Sequence, residues 1–417
     1  MGVSSPDPRP RVLVVIGTRP EGIKLAPVVT ALESRREEVR VEVALTGQHT
    51  ALMDQVLEVF RLRVDPTRDL GIMREGQDLY DVAHGCLDGL RDVVREYRPD
   101  LVLVQGDTAT VFLGALVAYF ERTRVGHVEA GLRSRDKWHP YPEEIFRRLT
   151  GVLADVHFAP TAGARENLLS DGVPAQSIHV TGNTVVDALL QIAAVPHEPA
   201  DAVLRKALAE DRRLVLLTAH RRESFGAPLR EAFRGVRALV DRFDDVVVVY
   251  PVHPNPNVRS AAEEVLAGHD RIRLTQPFDY LDLVHALRTA VLVVTDSGGI
   301  QEEAPTFHTP VLVLRDVTER PEGIDAGVAV LVGTDARRIL EQGSAVLGDG
   351  DLLSSPSSAR RGASPGAAAG QLAAGGGDGT GYPNPYGDSR AAERIAGIVS
   401  DLVHGRVPTT PDWVAPA

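Results

Sequence analysis

Short runs of aliphatic and β-branched residues alternate along the chain with longer stretches whose apolar positions recur at helical spacing. The runs fall into two successive sets: 12–16, 41–45, 101–104, 125–129, 156–159 and 178–181, then 214–218, 246–250, 272–274, 291–295, 311–314 and 328–332. Near-continuous apolar strands of this kind suit parallel sheets covered by helices on both faces. Two sets of strand–helix alternation predict two doubly wound, Rossmann-like α/β domains facing a cleft. The predicted layout is an N-terminal domain over 1–185 and a C-terminal domain over 186–350, the boundary following Asn183 near the prolines at 196–199. Residues 351–381 are rich in Ala, Gly and Ser, and their core, 354–380, reads as a flexible insertion without a catalytic role. Residues 382–417 then supply a last amphipathic helix, with Ala391, Ile395, Ile398, Val399 and Leu402 on one stripe, packing back on the body.

Composition narrows the class. Of 417 residues, 45 are Lys or Arg and 57 are Asp or Glu, a net charge of −12. That balance argues against nucleic-acid or anionic-membrane binding by bulk charge, while leaving room for a local basic pocket. A single cysteine, Cys86, excludes an internal disulfide framework and a Cys-rich zinc site. Residues 1–10 lack the apolar core of a signal peptide, and no apolar run reaches the roughly 18 residues of a spanning helix, so a cytoplasmic enzyme or binding protein is expected.

In doubly wound sheets, ligands sit outside the carboxyl ends of the strands, and here the residues after the strands are polar. Gly17 to Lys24 approaches a phosphate-binding loop. However, Ile23 separates Gly22 from Lys24, and Leu25 stands where a Mg²⁺-binding hydroxyl belongs. The segment reads either as a plain strand-to-helix turn with Pro20 in the first helical turn, or as an anion site using Arg19 and Lys24. Asp296-Ser297-Gly298-Gly299 opens a helix carrying Gln301, Glu302 and Glu303. It can admit a phosphate to its backbone and a ribose to Glu302 or Glu303, or simply be a capped helix with an acidic face. Asp107, Glu129 and Glu143 are candidate acid–base carboxylates, against the alternative of ordinary salt bridges. His220, followed by Arg221 and Arg222, is placed to steady a leaving phosphate, or is structural; His127 and His157 lie within strands and read as core. No metal-ligand spacing surrounds His139 or His253.

In order along the chain stand Gly17-Thr18-Arg19-Pro20-Glu21, Gln105-Gly106-Asp107-Thr108, Gly126-His127-Val128-Glu129-Ala130-Gly131-Leu132-Arg133 and Pro142-Glu143-Glu144. They are followed by Thr181-Gly182-Asn183-Thr184, His220-Arg221-Arg222-Glu223, Thr295-Asp296-Ser297-Gly298-Gly299-Ile300-Gln301-Glu302-Glu303 and Thr318-Glu319-Arg320-Pro321-Glu322. This ordered set resembles the non-hydrolysing UDP-N-acetylglucosamine 2-epimerases of bacteria, over residues 11–342 and again at 384–388. The resemblance implies the glycogen-phosphorylase-like (GT-B) fold, an isomerase interconverting UDP-GlcNAc and UDP-ManNAc for cell-surface polysaccharide, no redox cofactor, no essential metal and a homodimer. It also implies anti elimination of UDP to 2-acetamidoglucal followed by re-addition. Asp107, Glu129 and Glu143 would be the acid–base set and His220 the partner of the departing diphosphate. Arg19, Lys24, Ser297, Gly298, Gly299, Glu303 and Arg320 match UDP-contacting positions.

Some members of the family bind a second UDP-GlcNAc as effector. Its positions Gln48, Gln77, Glu143, Arg221 and His253 are retained here, whereas Ala51 and Gly76 replace a glutamine and an arginine. Other departures are Phe146 for asparagine, Ala109 in a threonine run, and the segment 306–309. The rival readings are a hydrolysing epimerase that releases UDP and ManNAc, a glycosyltransferase on the same fold, and a catalytically silent nucleotide-sugar sensor.

Overall fold

The fold is that of a computed structural model, which describes residues 7–47, 51–72, 74, 76–348 and 384–415. The chain divides into two compact units, Met1–Ala188 with Tyr386–Ala415, and Leu189–Pro385. The insertion expected at 351–381 lies outside the described residues.

The first unit is built on β1 (Arg11–Ile16), β2 (Arg40–Leu45), β3 (Leu101–Gln105), β4 (Arg124–Val128), β5 (Val156–Ala159) and β6 (Ile178–Val180). They form one all-parallel sheet in the order β2-β1-β3-β4-β5-β6. Between them run α1 (Arg19–Glu33), α2 (Ala51–Val59), α3 (Leu79–Tyr97), α4 (Ala109–Phe120), α5 (Glu143–Leu153) and α6 (Ala162–Ser170). One side of this sheet packs Leu13, Val15, Val102 and Val104 against Leu90, Val94, Val111 and Ala115. Covering of both faces is why the central strands β1 and β3 read as near-continuous apolar runs, whereas the edge strand β2 keeps the exposed Arg40 and half-buried Glu42.

The second unit repeats the plan with a different strand order. Its strands are β7 (Arg213–Thr218), β8 (Val246–Pro251), β9 (Ile272–Thr275), β10 (Leu292–Thr295), β11 (Val311–Val313) and β12 (Ala329–Leu331). They lie in the order β12-β11-β10-β7-β8-β9, all parallel. This is the 3-2-1-4-5-6 order of dinucleotide-binding domains, whereas the first sheet starts 2-1-3-4-5, as in flavodoxin-like folds. Helices α7 (Thr184–Ala193) and α8 (Ala202–Leu208) precede it. Helices α9 (Ala227–Arg242), α10 (Pro256–Leu266), α11 (Tyr280–Thr289), α12 (Gly298–Glu303), α13 (Pro321–Asp325) and α14 (Ala336–Gly348) complete it. Phe233, Leu239, Val248, Tyr250 and Val294 lie at its centre, fully buried.

After the insertion the chain returns to the first unit. Helix α15 (Ala391–Val403) packs on α1. Asp187 accepts the Ala392 N–H at 2.9 Å, and Ser400 Oγ donates to Glu38 at 2.6 Å. Trp413 N–H then reaches the Val180 carbonyl at 2.7 Å.

Candidate active site

Each sheet reverses its winding at one point, and there the loops after neighbouring strands open a crevice. In the first unit that point lies between β1 and β3, in the second between β7 and β10. The residues singled out from sequence lie largely on the loops that follow the strands of the two sheets.

In the first unit, Glu129 follows β4 with φ at +61°. A left-handed glutamate is uncommon and costs backbone energy of order 1–3 kcal/mol, which the surroundings must over-determine. They do. Lys24 Nζ stands 2.5 Å from Glu129 Oε1, Gln105 Nε2 donates to Oε2, and Asn183 Nδ2 lies 3.5 Å away. The strand therefore ends one residue earlier than the sequence run at 125–129 suggested, because Glu129 turns out of the ladder. Asp107 sits after β3, half-buried, and is ion-paired with Arg147 of α5. Arg147 also reaches the buried Glu144 at 3.3 Å. Glu144 in turn accepts the backbone N–H groups of Ser134 (2.9 Å) and Arg135 (3.2 Å), so it is spent on holding the loop after β4. Glu143, the first residue of α5, is half-buried and makes no hydrogen bond or ion pair among the described residues.

Arg19 opens α1, half-buried, with Lys24 one and a half turns on. The turn before them is tight: a Cβ on Gly17 would stand 2.3 Å from Thr110 Oγ1. Beneath it, Glu21 is buried and accepts three hydrogen bonds, from Gly17 N–H (2.6 Å), Thr18 Oγ1 (3.0 Å) and Thr108 Oγ1 (2.8 Å). Burial pushes its carboxyl up to about 7 against those three donors, and the charge of Asp107 adds to the rise. His127 and His157 are buried as expected; His127 Nε2 meets the Gly106 carbonyl at 2.8 Å, and burial holds its pKa down at about 3. Phe146, the departure beside Glu143, stacks on Phe112 with ring centroids 5.5 Å apart.

In the second unit, the β7 and β10 loops are joined by Asp296. Its Oδ2 accepts the backbone N–H of His220 (2.7 Å) and Arg221 (2.9 Å), and its Oδ1 stands 3.1 Å from His220 Nδ1. Burial opposes the charge on Asp296, but His220 and the two N–H groups outweigh it and hold the carboxyl below its ordinary range. His220 is exposed, and its ring stacks on that of His253 at 5.8 Å.

Ser297 and Gly299 are half-buried and Gly298 is buried. A Cβ at Gly298 would meet Arg320 Nη1 at 2.7 Å, so only glycine lets that guanidinium lie across the loop. Arg320 Nε holds the buried Glu302 at 2.7 Å, and Thr318 Oγ1 donates to Gln301 at 2.7 Å. Two distant motifs thereby form one surface. Of the two glutamates weighed from sequence, Glu302 is buried against Arg320 and Glu303 is half-buried. Glu319 is held at about 2, because Arg315 at 2.8 Å outweighs the cost of its burial.

Gln48 lies outside the described residues. Gln77 receives the Arg74 N–H and donates to the Ile72 carbonyl at 3.0 Å, which fixes the loop before α3. Arg221 pairs loosely with Glu223 at 3.5 Å. Gln77 and Glu143 belong to the first unit, Arg221 and His253 to the second. Among the described residues, His197, Asp279 and Asp282 have ligand atoms within 4.8 Å of one another. Asp282 is nevertheless taken up by His197 Nε2 and by the N–H groups of Ala200 and Asp201, so the cluster secures the lead-in to α8.

Sequence reasoning gave no role to Glu21, Gln105, Arg147, Asn183 or Asp296. Gln105, Asn183, Asp296 and Glu21 all lie inside the ordered motifs, and Arg147 stands three and four residues beyond Glu144 and Glu143, a helical neighbour of both.

A family model described as UDP-N-acetylglucosamine 2-epimerase matches residues 31–375. The chain belongs to this epimerase family. A UDP-N-acetylglucosamine 2-epimerase of Bacillus subtilis is 43% identical over 387 residues, 92% of this chain and 93% of that protein. The S. aureus MnaA–UDP co-structure is 40% identical with a TM-score of 0.80, covering 97% of this chain and 100% of the other. A UDP-GlcNAc 2-epimerase from Neisseria meningitidis, solved bound to UDP-GlcNAc, is 36% identical with a TM-score of 0.78, covering 93% and 99%. The two doubly wound domains of this GT-B-like architecture are common to the epimerase family's solved members and this chain. Among the described residues, no helix is long and apolar enough to cross a membrane.

Proposed function

We propose that this chain reversibly epimerises UDP-N-acetylglucosamine to UDP-N-acetylmannosamine at C2, without hydrolysis, as a cytoplasmic homodimer that supplies ManNAc units for cell-surface polysaccharide. The observation that carries the reading is Glu129. It is a buried carboxylate in a costly backbone conformation, flanked by an ammonium and two amides, one sheet position from the Arg147-held Asp107. Family membership and the relatives solved with UDP and UDP-GlcNAc supply the substrate.

The C2 proton has no adjacent carbonyl to acidify it, so direct removal is unfavourable. Anti elimination avoids that: a carboxylate takes the C2 proton, the electron pair forms the C1–C2 double bond, and the C1–O bond breaks toward UDP. Re-addition with protonation from the other face gives the epimer. Asp107, Glu129 and Glu143 are the acid–base groups. Lys24 beside Glu129 and Arg147 beside Asp107 hold these carboxylates in place. His220, anchored by Asp296, faces the diphosphate as its charge develops, with Arg19, Arg320 and the Ser297-Gly298-Gly299 backbone as further UDP contacts and Glu303 at the ribose. No metal or redox group has a part in these steps.

The test is turnover of UDP-GlcNAc in D₂O with product separation. UDP-ManNAc carrying deuterium at C2, without stoichiometric UDP, is expected. Free UDP and ManNAc would mean the hydrolysing reaction. Retention of the original C2 hydrogen would exclude elimination, and binding without turnover would leave a sensor.

A further inference from the structure

Two helices open at the first unit's crevice, and both forgo their ordinary cap. Thr18 is the N-cap of α1 and Thr108 the N-cap of α4, yet neither hydroxyl bonds to its own helix. N-cap threonines are favoured because that bond satisfies an otherwise unpaired N–H. Here both hydroxyls turn to one acceptor, Glu21 Oε1, at 3.0 and 2.8 Å, while Glu21 Oε2 takes the Gly17 N–H at 2.6 Å. A capping-box glutamate at the third helical position normally serves its own helix. Glu21 serves two, and the second begins next to Asp107. Being buried, it cannot touch a substrate; it acts only through the loops it joins.

We propose that Glu21 is a positioning residue for the epimerisation, tying the turn that carries Arg19 and Lys24 to the loop that carries Asp107. The inference rests on the epimerase reading. The titratable groups facing Glu21 are Asp107 on the β3–α4 loop and Cys86 on α3, whose thiol burial pushes up to about 11, leaving it neutral. Cys86 in turn lies against the hydroxyl pair Thr46 and Thr110, which stand 2.7 Å apart. Burial is the largest cause of the rise in the Glu21 carboxyl to about 7, and the charge of Asp107 adds to it. Glu21 therefore loses its proton near neutral pH, and the acid–base loop senses it.

The experiment compares wild type with Glu21→Gln, Thr108→Val, the double variant and Thr108→Ser. A displacement of about 1 Å at reacting groups costs up to about 100-fold in rate. Glu21→Gln is expected to lower kcat by about tenfold or more with KM within about threefold, and to remove an inflection of kcat near pH 7. Thr108→Val should lower kcat, the double variant should be no worse than the poorer single one, and Thr108→Ser should restore the rate. Infrared titration should show one buried carboxyl fewer ionising near pH 7 in Glu21→Gln than in wild type, the Asp187 signal remaining in both, a readout independent of turnover. An unchanged kcat and pH profile in Glu21→Gln, with only a lowered melting temperature, would reduce Glu21 to a helix cap and overturn the proposal. A wild type that titrates as expected but turns over no UDP-GlcNAc would instead overturn the epimerase reading.

Discussion

Arg147 holds the loop that carries Asp107, and its removal has a calculable cost. Its side chain is 10% exposed and pairs with Asp107 and with Glu144, whose side chain is fully buried. Removing one partner of a buried pair typically costs about 3–5 kcal/mol, since the remaining charge is left uncompensated. Glu144 keeps two backbone N–H donors and Asp107 is 28% exposed, so Arg147→Met should fall at the lower end, about 3 kcal/mol. In a unit of roughly 200 residues each kcal/mol moves the melting temperature by about 2–4 °C, giving a fall of roughly 6–12 °C. Arg147→Lys keeps the charge but not the fork that meets two carboxylates, and should recover only part of this. Calorimetry and UDP-GlcNAc turnover on the same preparations are the assay. Both variants should lose at least about tenfold in kcat because Asp107 is no longer held. A melting temperature within about 2 °C of wild type, or near-normal kcat in Arg147→Met, would refute the reasoning.

Asp107→Asn, Glu129→Gln and Glu143→Gln should each lower kcat by at least about 100-fold, the usual worth of general acid–base catalysis; near-normal rates in all three would contradict the assignment. His220→Asn should slow turnover without a change in melting temperature, whereas a large loss of stability would make this histidine structural. Burial pushes the Asp187 carboxyl up to about 7, so its folded state binds the proton more tightly than the unfolded chain. Its contribution is complete below the ordinary carboxylate range and is lost as pH rises through 7. Unfolding midpoints of Asp187→Asn should therefore fall less between pH 5 and 8 than those of wild type, and equal slopes would count against the assignment. If a second UDP-GlcNAc bound as the family resemblance implies, Gly76 in place of an arginine would forgo a charge-assisted diphosphate contact worth about 1.5–3 kcal/mol, roughly 10- to 100-fold in effector affinity. UDP-ManNAc turnover freed of UDP-GlcNAc should then start without a lag, and a pronounced lag abolished by micromolar UDP-GlcNAc would show the effector site intact.

The central strands among the described residues were legible because, as in β1, β3, β8 and β10, burial on both faces makes them near-continuous apolar runs. Their order was not. The same alternation gives 2-1-3-4-5-6 in one sheet and 3-2-1-4-5-6 in the other, since hydrophobic periodicity does not record the side on which a strand is added. Glu129 shows the limit at a single residue. A glycine would have advertised a left-handed turn, but a glutamate gives no such sign, and the run at 125–129 looked like strand to its end. The Arg147–Glu144 pairing was available from helical spacing, whereas Lys24 meets Glu129 across 105 residues and Thr108 meets Glu21 across 87, separations that carry no local signal.

Net charge was equally uninformative about the crevice, for a physical reason. A nucleotide sugar needs cations, yet this chain carries 12 more acids than bases. The structure spends acids to place cations. Glu129 holds Lys24, Asp107 and Glu144 hold Arg147, Glu302 holds Arg320, Glu319 holds Arg315, and Asp296 holds His220. Each pair is at least partly withdrawn from solvent, where screening is weak and orientation is retained. A lysine or arginine free in water would lose rotamer entropy on meeting a diphosphate, whereas one already fixed by a buried carboxylate has lost most of it during folding. The excess of acids is therefore compatible with an anionic substrate, because the acids at these loops set the geometry of the cations as well as their charge.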